Sequence, residues 1–283
     1  MNICITGGAG FIGSHLTNAL IKENHSVTVV DNFTTGNAKY VNKDARIIKC
    51  DITDFASLQK FLNGFDVIFH LAAQTDVRVS QQNPDMDYQV NFSGTRNVAD
   101  AVKDNGSKII FSSSCAVYGN CDEPVPEESE ARPLSKYALN KFQAEKLLPK
   151  NAFIARMFNV YGLRGNSFVN KACKAALKEG NIQIYGSGMQ TRDYVHIDDT
   201  VAALIKGMNL KGTYNIGTGK ESSVLSVVHM AESSSGSKIK TIFTDPVDGE
   251  IERSVADITK IEKEEWTPQI SLADGIRQMC RAK

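Results

Sequence analysis

Met1-Asn2-Ile3-Cys4-Ile5-Thr6-Gly7-Gly8-Ala9-Gly10-Phe11-Ile12-Gly13 is the stretch from which the fold of this chain is read. Asn2 to Thr6 are short, largely apolar and rich in β-branched residues, as a buried parallel strand requires. After Gly10, the apolar residues Phe11, Ile12, Leu16, Ala19 and Leu20 recur at helical spacing. Between strand and helix, Gly7, Gly10 and Gly13 stand three apart. One residue without Cβ allows a tight turn, a second lets the backbone approach a pyrophosphate, and a third lets the helix pack closely on the strand. The N-terminus of that helix then offers unpaired N–H groups and a partial positive charge to phosphates. Such a strand, turn and helix suit a dinucleotide.

The next strand, Ser26 to Val30, ends in Asp31. That lies about 20 residues on, where a carboxylate accepts from the adenosine ribose hydroxyls. Asp31 repels a 2′-phosphate, so NAD is expected rather than NADP. A third strand, Ala45 to Cys50, leads to Asp51 and Ile52 at the carboxyl edge, where an adenine ring would lie. A helix capped by Asp54 follows, to about Asn63. Asp66 to Gln74 reads as a buried strand running into a small-residue turn, with His70 a packed strand-end residue rather than a base. Pro84 starts a long helix, about Asp85 to Asn105, in which an inward Asn91 is expected to brace the active-site strand. Ser107 to Phe111 is a fifth strand that delivers Ser112, Ser113 and Ser114 to the edge where open α/β sheets bind ligands.

Pro133 is expected to initiate the helix that carries Tyr137 and Lys141, one turn apart on a single face. A phenol near its ordinary pKa of about 10 is a poor base at neutral pH, and a neighbouring ammonium favours the phenolate. An exposed aromatic and cation at this spacing is common on helices. After a dinucleotide turn and a serine-bearing strand, chemistry is the better account.

Lys and Arg total 32, as do Asp and Glu, so no global field recruits nucleic acid or an acidic membrane. Met1 leads directly into a strand without the charged and apolar regions of a signal peptide, and no apolar run approaches membrane-spanning length. A cytoplasmic protein without a membrane partner is expected. The six cysteines, Cys4, Cys50, Cys115, Cys121, Cys173 and Cys280, form no CxxC pair or metal spacing, and are read as reduced thiols with no metal site.

Taken together, Gly7-Gly10-Gly13, Leu71-Ala72-Ala73, Ser112-Ser113-Ser114, Val117-Tyr118-Gly119 and Tyr137 with Lys141 resemble the extended short-chain dehydrogenase/reductase family, in its NAD-dependent epimerase/dehydratase group. Within it the chain is most similar to UDP-glucose 4-epimerases. The similarity continues through Arg156 to Gly162, Gly188 to Tyr194, Asp198-Asp199, Tyr214 to Gly217 and Trp266-Thr267-Pro268. The fold expected is α/β, a Rossmann-type doubly wound parallel sheet with a smaller C-terminal α/β substrate-binding lobe. Residues 1–160 plus 194–217 would form the NAD-binding domain, and 161–193 plus 218–283 the nucleotide-sugar lobe, with the substrate cleft between them. Strands are read at Ile154 to Met157 and Thr213 to Ile216. Helices are read at Ile197 to Met208, Asn170 to Glu179, Val224 to Ser235 and Ser271 to Cys280.

The resemblance implies that Tyr137 removes the proton of a sugar C4 hydroxyl while NAD accepts the C4 hydride, and that Ser114 holds the reacting oxygen. Lys141 would lower the tyrosine pKa and bind the nicotinamide ribose. Cofactor contacts are implied for Gly7, Gly10, Phe11, Ile12, Gly13, Asp31, Asn32, Asp51 and Ile52. Leu71, Ala72, Ala73, Gln74, Asn91, Ser112, Tyr137 and Lys141 would complete them. Dehydratases and decarboxylases of the group carry an acid beside the catalytic hydroxyl, whereas this chain has Cys115 and Ala116, which favours simple return of the hydride. Substrate contacts are implied for Ser114, Tyr137, Asn159, Tyr185 and Arg192. Family members usually supply another Arg two residues before Gly249-Glu250, where this chain has Val247; Arg253 or Lys220 would have to substitute. Ser254 falls where some relatives carry a tyrosine that crowds the sugar 2-position, so UDP-GlcNAc/UDP-GalNAc are expected to be accepted beside UDP-glucose/UDP-galactose. A homodimer through the helices containing Asn91 and Tyr137 is implied as well. Competing readings are a related nucleotide-sugar epimerase or oxidoreductase, and a non-catalytic NAD-binding regulator on the same fold, against which Ser114, Tyr137 and Lys141 count.

Overall fold

The computed structural model describes residues 1–246 and 251–281. Along the chain, β1 (Asn2–Thr6), α1 (Phe11–Lys22), β2 (Ser26–Asp31), β3 (Arg46–Lys49), α2 (Phe55–Phe61) and β4 (Val67–His70) come first. Next are α3 (Val77–Gln82), α4 (Pro84–Asp87), a π-helical segment (Tyr88–Ser93), α5 (Gly94–Val102), β5 (Lys108–Ser114) and α6 (Lys136–Glu145). The remaining elements are β6 (Phe153–Met157), β7 (Asn159–Tyr161), α7 (Phe168–Leu177), β8 (Asn181–Tyr185), β9 (Thr191–His196) and α8 (Ile197–Lys206). They close with β10 (Gly212–Ile216), β11 (Glu221–Ser223), α9 (Val224–Ser235), β12 (Lys240–Thr244), β13 (Arg253–Ser254), α10 (Thr259–Glu262) and α11 (Leu272–Arg281).

Seven strands form one sheet in the order β10-β6-β5-β4-β1-β2-β3. β1 runs parallel to both β2 and β4, so the chain leaves β1 toward one edge and resumes on its other side. Crevices at such a reversal, beyond the carboxyl ends of the strands, are where open α/β sheets bind ligands. The inner strands are apolar on both faces: Ile3, Ile5, Val29, Ile68, Phe69, Ile109 and Ile110 are all fully buried. This is the doubly wound fold that the opening stretch implies.

Boundaries and one element differ from the sequence reading. Ser135, not Pro133, starts α6, because its hydroxyl accepts from Ala138 N. The helix expected over Asp85 to Asn105 is broken into α4, a π-helical segment and α5. α3 is extra; Asp76 caps it by accepting from Arg78 N and Val79 N, although Val77-Arg78-Val79 alternates like a strand. Asn91 braces the turn after β4 rather than β5, exchanging hydrogen bonds with Gln74 N (3.2 Å) and Gln74 O (2.9 Å).

Two compact units are present. The first comprises Met1–Val117, Pro133–Arg156 and Val201–Tyr214, and the second Tyr118–Arg132, Met157–Thr200 and Asn215 onward. Residues 118–132, 157–160, 194–200 and 215–217, which the sequence reading groups with the nucleotide-binding sheet, therefore belong to the second unit. Part of the reason is local: Cys121 N donates to Arg253 O and Val125 N to Val255 O. In the second unit, β9 pairs with β11, β13 and β7, and a parallel β8–β12 pair stands apart. α7, α9 and α11 bury Val169, Val227, Val228 and Ile276 in a separate core. No helix of the described residues is long and apolar enough to cross a membrane. The cysteines are free thiols, Cys115 alone among them only half-buried.

Within the first unit a buried ion pair ties α6 to the sheet. Arg156 Nη2 lies 2.7 Å from Glu145 Oε2 and Nε donates to Oε1 at 3.0 Å, while Ser113 Oγ donates to the same carboxylate. Removing one member of such a pair strands a charge in a medium that cannot solvate it. Arg156→Met is expected to lower stability by about 3–5 kcal/mol, read from the urea midpoint by circular dichroism. A midpoint equal to wild type would mean the pair does not anchor the helix.

Candidate active site

Gly7 has φ +73°, and a Cβ there would meet Ala72 N at 2.6 Å; at Gly13 it would meet Gly7 O at 2.3 Å. These glycines are demanded by the chain's own packing: the loops after β1 and β4 touch at the switch point, and α1 sits directly on the turn. Gly10 is different, since a Cβ would meet only Gly7 O, at 3.2 Å. It is also the N-cap of α1 without any side-chain cap, and no acid stands in the first turn. A bare helix N-terminus beside an open backbone is what a pyrophosphate requires.

Asp31 is buried at the end of β2, where Oδ2 accepts from Ala9 N (3.0 Å) and Oδ1 from Phe33 N (2.8 Å). It therefore steadies the glycine turn itself, with further lone pairs left for ribose hydroxyls. Asn32 donates to Asp51 Oδ2 at 2.8 Å. Partial burial opposes it, but hydrogen bonds from Thr53 and Asn32 hold the Asp51 carboxyl below its usual range. Ile52, by contrast, is buried in the core and packs on Gly94, where a Cβ would meet it at 2.6 Å. Phe11 and Ile12 on α1 are half-buried, as are Leu71, Ala72, Ala73 and Gln74 after β4.

Behind the turn runs a buried chain of hydroxyls and imidazole. Thr6 Oγ1 and His70 Nδ1 are 2.7 Å apart, His70 Nε2 and Thr95 Oγ1 are 3.0 Å apart, and Thr95 donates to Asn91 O at 2.7 Å. Burial, helped by the Lys141 charge, pushes His70 down to about 3, so it stays neutral and structural. Ser112 Oγ donates to His70 O at 3.1 Å. With both ring nitrogens engaged, His70 links β1 and β4 to α5, and Thr95 carries the chain on to the π-helical segment through Asn91 O.

At the carboxyl end of β5, Ser114 is hydrogen-bonded to the Tyr137 hydroxyl from the first turn of α6. Lys141, one turn on and 2% exposed, places Nζ 4.4 Å from the centre of the Phe111 ring. The three catalytic candidates thus come together in the first unit. Burial pushes the Tyr137 phenol up to about 12, outweighing its bond with Ser114, and the Cys115 and Asp87 charges push the same way. Burial is the larger effect, so the phenol stays above its ordinary value despite the cation one turn on. Burial also brings Lys141 down to about 8, against the opposite pull of Asp87 and Glu145. At neutral pH the pair is a phenol beside an ammonium.

The substrate candidates other than Ser114 and Tyr137 fall in the second unit. Register sets Arg192 opposite Ser254 and Asn159 opposite Tyr194, so Arg192, Ser254 and Asn159 share one face of the small sheet. Tyr185 ends β8 in the other sheet, with its carbonyl accepting from Gln190. Arg192 Nη1 donates to Thr191 O at 2.8 Å. Arg253, offered as a replacement for the missing Arg, is on the opposite face and is held by Glu221 through bonds of 2.7 and 2.9 Å. Val247 and Gly249-Glu250 lie outside the described residues. Asp193 was not singled out by the sequence reading, yet it is fully buried and accepts from Thr218, Gly219 and Ala256. Burial raises its carboxyl against those bonds. Its signal in the sequence is position, directly after Arg192, for which the resemblance implies a substrate contact.

Residues 3–217 match the model of the NAD dependent epimerase/dehydratase family. The chain belongs to that family. Among its relatives are a UDP-glucose 4-epimerase of Mycolicibacterium smegmatis, 36% identical over 98% of this chain and 96% of that one. A UDP-N-acetyl-α-D-glucosaminuronate decarboxylase of Bacillus cytotoxicus is 33% identical over 97% of this chain and 95% of its own. Among solved structures, the UDP-glucose 4-epimerase of Thermotoga maritima with UDP-glucose superposes with a TM-score of 0.94. It is 32% identical, covering 99% of this chain and 97% of that one. As a member of the NAD-dependent epimerase/dehydratase family, this chain should hold the cofactor at the glycine turn, and the bare α1 N-terminus over Gly10 fits a pyrophosphate.

The Gly13 contact is the sharpest constraint on that turn. Gly13→Ala adds a methyl where Gly7 O already stands, an overpacking cost of about 1–3 kcal/mol. NAD affinity measured by calorimetry is expected to fall about tenfold or more. Unchanged affinity in a folded variant would show that the turn does not hold the cofactor.

Proposed function

We propose that this protein interconverts the C4 epimers of a UDP-hexose, UDP-glucose and UDP-galactose in the first instance, with NAD kept bound through turnover. The observation that carries the reading is the Ser114–Tyr137 hydroxyl pair at the carboxyl end of β5, with Lys141 one turn on. When bound, NAD supplies reversible oxidation of C4 to the keto level. Tyr137, in its phenolate form, takes the proton from the C4 hydroxyl and as the phenol later restores it, while Ser114 holds the same oxygen in line. Lys141, charged at neutral pH, stabilises the phenolate that forms transiently. Burial holds the phenol up at about 12 in the protein alone, and the phenolate that acts as base would be favoured by the positive charges of Lys141 and of bound NAD.

Cys115 and Ala116 next to Ser114 supply no carboxylate for elimination or decarboxylation, which supports epimerisation over the other reactions of the family. Arg192, Asn159 and Tyr185 are proposed to hold the UDP portion, Arg192 by paired donors to phosphate. Ser254 is small and faces the same side as Arg192, which supports acceptance of UDP-GlcNAc and UDP-GalNAc. A homodimer is proposed through α4, the π-helical segment and α6, where Met86, Tyr88 and, just before α6, Leu134 are exposed apolar side chains.

Incubating the purified protein with UDP-galactose should yield UDP-glucose without added NAD. Tyr137→Phe should reduce that turnover by at least about 10²-fold while NAD remains bound. Near-normal turnover in the variant would refute the assignment, and NAD binding with no turnover of any nucleotide sugar by wild type would favour a regulator. For the sugar, Ser254→Tyr is expected to slow the N-acetylated pair selectively, and equal losses on both pairs would exclude a gate at that position.

A further inference from the structure

Two buried carboxylates lie in the field of Lys141, and the structure treats them differently. Glu145, on its own helix, is matched by the Arg156 guanidinium and by Ser113. Asp87, the last residue of α4, is fully buried, and its donors are neutral amides. Asn91 Nδ2 reaches its two oxygens at 2.8 and 2.9 Å, and Asn140 Nδ2 reaches Oδ1 at 3.5 Å. Asn140 is the residue before Lys141 on α6, and Asn91 is the residue that ties down Gln74. A buried carboxylate with neutral donors alone is costly unless a cation shares its field.

The other groups around Lys141 leave that place to Asp87. His70 on β4 is neutral between two threonines, Phe111 on β5 presents a ring face, and Tyr137 on α6 is a phenol at neutral pH, with Cys115 beside it. Glu145 adds a smaller pull in the same direction as Asp87, its carboxylate being already matched by Arg156.

We propose that Asp87 is a positioning residue for Lys141: its uncompensated buried carboxylate keeps the Lys141 side chain in its ammonium form, and the Asn91–Asp87–Asn140 bridge fixes that charge against α6. The same bridge joins the turn after β4 to the helix carrying Tyr137, so one acid couples the geometry of that turn to the charge state of Lys141. This rests on the epimerase reading only for its effect on turnover; the effect on Lys141 stands without it.

The sign follows from the field. Removing a negative charge disfavours the ammonium, so the Lys141 midpoint falls and the alkaline limb of turnover moves to lower pH by the same amount. Asp87→Asn keeps the shape and loses the charge, whereas Asn140→Ala keeps the charge and loses one strut. The titration of Lys141 is read directly, by pH-dependent amine labelling resolved by mass spectrometry, with Lys141→Met as the blank. In wild type the midpoint should lie at about 8, and Asp87→Asn should lower it by on the order of one unit. Asn140→Ala should leave it in place. A wild-type midpoint well below neutrality, or one unmoved in folded Asp87→Asn, would overturn the proposal. A shifted midpoint with full turnover in Lys141→Met would instead sink the catalytic role of Lys141 and leave the Asp87 coupling intact.

Discussion

The hydrogen bond between Ser114 and Tyr137 is the constraint on which the remainder of this structure depends. It joins the end of a buried strand to the first turn of a helix, so neither hydroxyl can move without shifting β5 or α6. The Glu145–Arg156 pair fixes the far end of α6, and Ser113 on β5 closes the triangle. Rigid supports of this kind matter because a base must meet its proton within hydrogen-bond reach. The cost is desolvation: the pocket that aligns the phenol also makes its ionisation harder, and the nearby lysine is itself poorly solvated.

Much of this was legible in the sequence because the determinants are local. The glycine turn announces itself through residues that lack Cβ, and the contacts at Gly7 and Gly13 show why no side chain would fit there. Strands β1 and β2 are largely β-branched and aliphatic residues buried on both faces, and β5 carries Ile109, Ile110 and Phe111 before its serines. The spacing of Tyr137 and Lys141 is fixed by the helix, and Ser114 lies at the end of the preceding strand, so the three converge by fold topology alone.

What the sequence concealed was decided at a distance. The π-helical segment at Tyr88–Ser93 has no compositional mark, and it turns Asn91 toward Gln74 and Asp87 instead of β5. Helical spacing suggested that Lys141 lowers the Tyr137 pKa, but spacing carries no information on burial, which dominates both groups. Arg253 was a reasonable stand-in for the absent Arg by proximity in the chain, yet strand alternation sends it to the face opposite Arg192, where Glu221 holds it. Residues 118–132 follow the sequence of the first unit, but Cys121 and Val125 among them pair their backbone with Arg253 and Val255, partners 132 and 130 residues on in the chain.

If Tyr137 and Ser114 do hold one oxygen while its carbon is oxidised and restored, the hydrogen on C4 must never meet solvent. UDP-galactose carrying deuterium at C4, converted in ordinary water and followed by NMR of the UDP-glucose formed, tests this directly. The account predicts that the deuterium is retained at C4 of the product. Loss of the label to solvent, or its appearance at another carbon, would contradict it.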